Sequence, residues 1–483
     1  MHSVFTRSRF TRAAAALGVA TLGLTVTACG SSSGGAAGSS AASTSSAGSA
    51  GSSSAGSPPS SAGGAAASAG GSCAPTTGTV NLTFSTWVAG MDKVVELWNK
   101  SNPTIQVKVN ATPGGNSGTY QNFLNGIKAG TAPDLGQMEY DTLPNFRVQN
   151  GLTDIAGCPG VAEAKGKFVP WTWSQVDFAG SGGVWAIPQD SGPMALFYRK
   201  DVFDKLGLKA PATWAEYADD AAKIHAADPT QYITFFSQSD PNWYTGLLWQ
   251  NDAKLFDSSG DAVKVNLAGN AQATQVNSYW QNLISKKLVA TNLQGFSPEL
   301  YKAWNTGKVV SWISAAWGYS TIRDNAKGTS GKWAVAAMPQ WKAGGTTAGD
   351  WGGSSTAVLA GSKHPAEAAK FAIWLNTDPA ALALENKLGG LYPSATAGLD
   401  IPSLKEGVPF YGGQKIFDVF KAASSGVNQS FQFGPTMTDT YNAMKDGVSA
   451  ALGGSGTLED AMKGAQTKTV ASLKAQNIPV AGN

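Results

Sequence analysis

The chain has 483 residues and a formal charge of +3, and that charge comes wholly from Arg7, Arg9 and Arg12. Beyond position 72, Lys+Arg and Asp+Glu balance at 32 each, which removes the basic face that a nucleic-acid partner needs and leaves no polybasic membrane patch. All 16 Trp lie in this part but only two His, His225 and His364, a composition that favours binding surfaces over imidazole chemistry.

The three arginines precede an apolar stretch, Ala13 to Val26, and then Thr27-Ala28-Cys29. Small residues closing a short apolar segment are what a signal peptidase reads, and the stretch is too short to anchor stably in a bilayer. Residues 1–28 are therefore expected to be an export signal. Val26-Thr27-Ala28-Cys29 resembles a bacterial lipobox, in which Cys29 becomes the acylated first residue of the mature chain. Residues 30–72 are Gly, Ala and Ser apart from Thr44, Pro58 and Pro59, a composition that cannot bury enough surface to offset ordering. This tract reads as a tether with a root-mean-square reach of about 35–40 Å. The remaining cysteines, Cys73 and Cys158, are expected to pair in an oxidising exterior. Two distant Cys and two distant His offer none of the close-spaced pairs of a zinc site, so no metal and no cofactor is expected.

Residues 73–483 are enough for two or three domains at about 100–200 residues each. Thr79–Trp87 alternates Val80, Leu82 and Phe84 on one face and predicts a strand; Met91–Asn99 places Met91, Val94, Val95 and Trp98 at helical spacing. A strand at Ile105–Val109, a helix at Tyr120–Gly130 and a strand at Asp134–Met138 follow. This β-α-β-α-β order argues for an α/β fold with a mainly parallel sheet. Ligands then bind beyond the carboxyl ends of the strands, at Trp87 and at Glu139-Tyr140-Asp141. A second series comprises strands at Ala195–Tyr198, Tyr232–Ser237, Val309–Ile313 and Trp333–Ala337, with helices near Asn270–Lys286 and Glu299–Thr306. Thr213-Trp214-Ala215-Glu216 is a capping box opening a helix to about Ala227. Asp378-Pro379 and Thr457-Leu458-Glu459-Asp460 start helices in the C-terminal region. The expected body is two α/β lobes with a cleft between them.

An ordered set of segments resembles the extracellular solute-binding proteins of bacterial ABC sugar importers, the maltose-binding type. It comprises the lipobox, Ala132-Pro133-Asp134, Trp185-Ala186-Ile187-Pro188 with Asp190-Ser191-Gly192, Leu196-Phe197-Tyr198-Arg199-Lys200-Asp201 and Pro211-Ala212-Thr213-Trp214. Gly349-Asp350-Trp351-Gly352-Gly353-Ser354 and Gly389-Gly390-Leu391-Tyr392-Pro393 complete it. The resemblance spans Thr79 to Asn483. It implies a monomeric, lipid-anchored body on the outer face of the cytoplasmic membrane that closes on a sugar and is read by permease subunits, without catalysis. It places three lobe crossings near Asp190–Met194, Met338–Trp341 and Trp374–Pro379. One lobe would be 73–192 plus 339–376 and the other 193–338 plus 377–483.

A sugar ring has apolar C–H faces and a rim of hydroxyls, so a site needs aromatic platforms and carboxylates around them. Carried over by position, the platforms are Trp243, Tyr244, Trp317, Trp351 and Tyr392, to which the strand-end reading adds Trp87. The polar contacts are Glu139, Asp141, Asp190 and Asp350, with Tyr140 between two of them. Trp98, Trp214, Trp280, Trp304 and Trp374, all at helical positions, read as packing. Met138 stands where the maltose-binding relative presents an aromatic residue, so that protein's sugar does not carry over. The same ingredients also describe a glycoside hydrolase with two acids across the bond, and a polyol or short peptide is an alternative solute. Within residues 73–483 there is no G-x-S-x-G and no G-x-x-x-x-G-K-[ST].

Overall fold

The computed structural model describes residues 73–258 and 262–482. The export signal, Cys29 and the Gly/Ala/Ser tract lie outside the described residues.

The first lobe is built on a five-stranded sheet in the order Ile105–Ala111, Val80–Thr86, Leu135–Glu139, Ser354–Val358, Ala186–Pro188. Its first three strands are parallel, as the β-α-β-α-β pattern requires, and Ser354–Val358 runs antiparallel to both its neighbours. The alternation is real where one face meets the core: Val80, Leu82 and Phe84 are buried while Asn81 is exposed. Helix Met91–Ser101 covers this sheet by burying Met91, Val94, Val95 and Trp98. Trp98 sits 5.4 Å from Phe371 and 5.2 Å from Trp374, and its Nε1 donates to Ile105 O at 2.8 Å. Burying a large side chain of this kind stabilises by about 1.5–3 kcal/mol.

The second lobe carries a three-stranded sheet, Ser311–Ala315, Met194–Arg199, Trp333–Ala337, which is antiparallel throughout. The mainly parallel expectation therefore holds for part of the first sheet and fails for the second. Here the strands are far apart in sequence, and periodicity says nothing about their direction. The capping box forms in part: Thr213 Oγ1 accepts from Glu216 N, but Glu216 Oε2 reaches Ala212 N instead of the cap's own amide. Asp378 and Thr457 cap the helices Pro379–Gly389 and Leu458–Ala475. The structure pairs Cys73 with Cys158, their Cα atoms 4.9 Å apart.

The chain leaves the first sheet at Pro188 and enters the second at Met194. The passage expected at Met338–Trp341 falls inside the second lobe: Gln340 bonds Ala212 and Trp214, and Trp341 packs on Trp214 and Tyr279. The return runs through Asp350–Ser354. The passage expected at Trp374–Pro379 is also displaced, because helix Pro379–Gly389 packs on helices Met91–Ser101 and Pro365–Thr377 of the first lobe. The chain crosses again only near the short helix Pro402–Lys405, which touches both Pro379–Gly389 and Ile416–Ser425.

The first two passages lie side by side and are tied by reciprocal carboxylates. Asp350 Oδ1 accepts from Gly192 N at 2.8 Å, and Asp190 Oδ1 accepts from Ser354 N at 2.7 Å. Trp351 N donates to Gly192 O at 2.9 Å, and Ser191 N donates to Tyr392 O at 2.9 Å. A Cβ on Gly192 would stand 2.0 Å from Trp351 O, so glycine is required by the close approach of the two strands.

Candidate functional site

A cavity of about 520 Å³ opens between the lobes at the carboxyl ends of the parallel strands. On the first lobe, Trp87 follows strand Val80–Thr86, and its amide donates to Gln137 Oε1 at 3.1 Å. Glu139 ends the next strand and is held by Tyr120. The Tyr120 hydroxyl donates to Glu139 Oε2 at 3.0 Å and accepts from Glu139 N at 2.9 Å. Tyr120 also meets the Trp87 ring edge-on at 6.0 Å.

An aromatic wall faces them. Trp317 closes strand Ser311–Ala315, and its Nε1 donates to Trp351 O at 3.1 Å; the two rings lie 4.6 Å apart. Phe296 leans on both at 6.0 and 5.9 Å. It is 47% exposed and holds a left-handed backbone, φ 59°, a combination that a non-glycine residue rarely adopts. The strain and the exposure together place an apolar ring at the cavity mouth.

Of the residues singled out in the sequence, Trp87, Glu139, Asp190, Trp317 and Trp351 line this one cavity. Asp141 lines an adjoining cavity of about 440 Å³. Five do not line either, and each has a physical reason. Trp243 and Tyr244 sit in the first turns of helix Pro241–Gln250, whose start is the Asp240 cap with Pro241 at the first helical position. That helix is buried on all sides, so Trp243 Nε1 donates to Ile313 O and the ring packs on Phe236 and Trp280; Tyr244 donates to Asn277. Tyr140 is turned inward, its hydroxyl donating to Asp190 O at 3.0 Å. Asp350 is spent bracing the crossing, and Tyr392 stacks on Phe417.

Sequence reasoning passed over Phe296, Asn116, Gln137, Asp240 and Asn242, which complete the walls. Asp240-Pro241 was a readable signal, since a helix start aims its cap and first turn at whatever lies ahead of it. For Phe296 no periodicity or motif exists; it is a lone ring in a loop.

Burial dominates the electrostatics. It pushes Glu139 up to about 8, with the Asp141 charge adding to the effect, and pushes Asp190 up to about 7 despite its bond from the Ser354 amide. Asp141 and Asp240 are raised to about 6, again chiefly by burial. Among the described residues no Lys or Arg forms an ion pair with any of the four. A carboxyl that keeps its proton near neutrality both donates and accepts, which suits a ring of hydroxyls that do the same.

The family model of the bacterial extracellular solute-binding proteins matches residues 84–382. The chain belongs to this family. The solute-binding protein is 25% identical over 396 residues to an arabinooligosaccharide-binding protein of Halalkalibacterium halodurans, covering 79% of this chain and 86% of that one. Among solved structures it resembles the galacto-N-biose-/lacto-N-biose I-binding protein of an ABC transporter from Bifidobacterium longum, in complex with lacto-N-biose. The TM-score is 0.75 at 30% identity, over 84% of this chain and 100% of that one. A binding protein from B. animalis subsp. lactis, in complex with β-1,6-galactobiose, gives a TM-score of 0.71 at 28% identity with the same coverage. The family is that of two-lobed binding proteins working outside the cytoplasm. Among the described residues no helix is long and apolar enough to cross a membrane.

Proposed function

We propose that this solute-binding protein captures a saccharide in the cleft between its lobes and presents the closed form to the permease of an ABC importer. The observation that carries the reading is a single cavity with an aromatic wall, Phe296, Trp317 and Trp351, opposite the carboxyls Glu139 and Asp190. Rings cover the C–H faces and carboxyls meet the hydroxyls. The saccharides bound by the relatives support the ligand class. Ligand contacts are assigned to Trp87, Glu139, Asp190, Trp317, Trp351 and Phe296, with Asp240 and Asn242 added from the second lobe.

The same reading assigns hinge closure about the paired passages at Asp190–Pro193 and Asp350–Ser354. Closure couples capture to recognition by the permease. The protein acts as a monomer, releases its ligand unchanged, and keeps the Cys73–Cys158 bond in its oxidising surroundings. Acylation at Cys29, after removal of residues 1–28, anchors it to the membrane; two or three acyl chains hold firmly at about 0.8 kcal/mol per buried methylene.

The test is a titration of the purified protein with arabino-oligosaccharides, lacto-N-biose, β-1,6-galactobiose and maltose, following Trp fluorescence and analysing the sugar afterwards. Saturable change with intact sugar is expected. Cleaved sugar would move the protein to the glycoside hydrolases, and silence with every saccharide would remove the reading.

A further inference from the structure

Beyond position 72 the chain has three arginines, Arg147, Arg199 and Arg323. Two are used alike: Arg199 grips Asp201 and Arg323 grips Asp324, each through two bonds of 2.7–3.0 Å. Arg147 grips nothing. Among the described residues its guanidinium forms no ion pair and no side-chain hydrogen bond; it lies over the rings of Phe178 and Trp185, 4.6 and 4.3 Å from their centroids. The Asp154 carboxylate acts on it through space but is held by the amides of Ala156 and Val184 at 2.9 and 3.0 Å. Burial holds Arg147 below the usual guanidinium range, the direction expected of a charge taken from water without a counter-ion. The backbone is left-handed at two consecutive non-glycine residues, Phe178 (φ 48°) and Ala179 (φ 55°), a conformation that costs energy, and this turn carries the Phe178 ring to the guanidinium.

Arg147 lines a cavity of about 180 Å³ that shares no residue with the aromatic cavity or its neighbour. Its apolar walls come from both lobes: Val148 and Phe178 of the first, Val263, Phe433 and Ile478 of the second. The seam beside it is fixed by Gln175 Nε2, which donates to Phe431 O at 2.9 Å, and by Ser174 Oγ, which donates to Gln429 O at 3.0 Å. Gln432 adds a donor: its Oε1 accepts from Ser258 N at 3.2 Å, and its Nε2 has no acceptor among the described residues.

We propose that this cavity binds a small carboxylic acid with an apolar body, its carboxylate taken by the Arg147 fork and its body by the walls of both lobes. A planar guanidinium matches a carboxylate with two parallel bonds, as the other two arginines show, and the rings beneath it hold its plane in advance. No Lys joins Arg147 in the lining, so a phosphate would keep charge uncompensated against apolar walls that cannot solvate it. The volume of about 180 Å³ falls below the range of about 300–1,000 Å³ typical of drug-sized ligands, which limits the acid to a short chain or a single ring. This ligand is chemically unlike the solute of the cleft.

The test is calorimetry of the full protein, without sugar, using hexanoate and phenylacetate against hexanamide, phenylacetamide, acetate and inorganic phosphate. At least one of the two apolar acids is expected to bind saturably, with its amide, acetate and phosphate tenfold weaker or more. Arg147→Gln should weaken that acid tenfold or more, and Arg147→Lys, which lacks the fork, threefold or more. Val148→Trp, at an exposed position on the wall, should fill the cavity and abolish binding with Arg147 in place. Silence with both acids, equal binding of acid and amide, phosphate as tight as the acids, or binding that survives Arg147→Gln each overturns the proposal and leaves the saccharide reading untouched. Should Arg147→Gln fail to fold, as thermal unfolding will show, the comparison of acid with amide on the unaltered protein still decides.

Discussion

Trp317 is half-buried at the cavity wall and Phe296 is the most exposed large apolar side chain described, so these two rings are free to meet a ligand without first leaving other partners. An aromatic contact contributes about 0.5–1.5 kcal/mol beyond area burial, and 1.4 kcal/mol is a factor of ten in Kd. Trp317→Ala and Phe296→Ala should each weaken saccharide binding about five- to tenfold with little change in melting temperature, as calorimetry and thermal unfolding will read. Trp351 is different: it is only 6% exposed and wedged among Trp312, Trp317 and Phe296. Its truncation should lower stability by about 3–5 kcal/mol as well as binding. Trp317 and Trp351 were legible because one ends a strand and the other stands between glycines, both marks of a loop at a cleft. Trp243 and Tyr244 follow a strand in sequence as cleft platforms would, but the Asp240-Pro241 start folds them into an enclosed helix. Phe296 was invisible because a single ring in a loop carries no pattern.

At the scale of elements, the strands with one buried face and the helices with an apolar stripe were readable, down to Trp333–Ala337 at both ends. Beyond its Asp240-Pro241 start, helix Pro241–Gln250 was not, because Trp243 through Gln250 are all buried and a helix enclosed all round has no stripe. Strand Ser354–Val358 escaped for a related reason: it is wholly buried yet begins Ser-Ser-Thr, so neither alternation nor an apolar run marks it. These two elements bring Asn242 and Ser354 to the cavity and brace the crossing, which is why the cleft's polar half was less legible than its aromatic half. The crossing itself depends on the absence of a side chain. Gly192→Ala must push the strands apart and should destabilise by about 1–3 kcal/mol. It should also alter the fluorescence change on sugar binding, checked by thermal unfolding and titration of the same variant.

The whole molecule inherits a pH dependence from its buried carboxyls. Glu139, raised from 4.5 to about 8, and Asp190, raised from 3.8 to about 7, hold protons in the folded protein that the unfolded chain releases. Stability from these groups is complete below about pH 4 and is lost as pH rises toward 8. The ligand-free protein should therefore melt at falling temperature from pH 5 to pH 8, and Glu139→Gln should flatten the upper part of that decline. The disulfide is independent of the cavity, since neither Cys73 nor Cys158 lines it. It closes a separation of 85 residues, and Cys73→Ser with Cys158→Ser should lower stability by about 2–5 kcal/mol while leaving sugar affinity within twofold. The bond also decides where a load would fall. A pull on the chain ahead of Cys73 would run through sulfur into the segment at Cys158, so strand Val80–Thr86, which holds Trp87 at the cleft, would be spared tension and the recess would keep its shape.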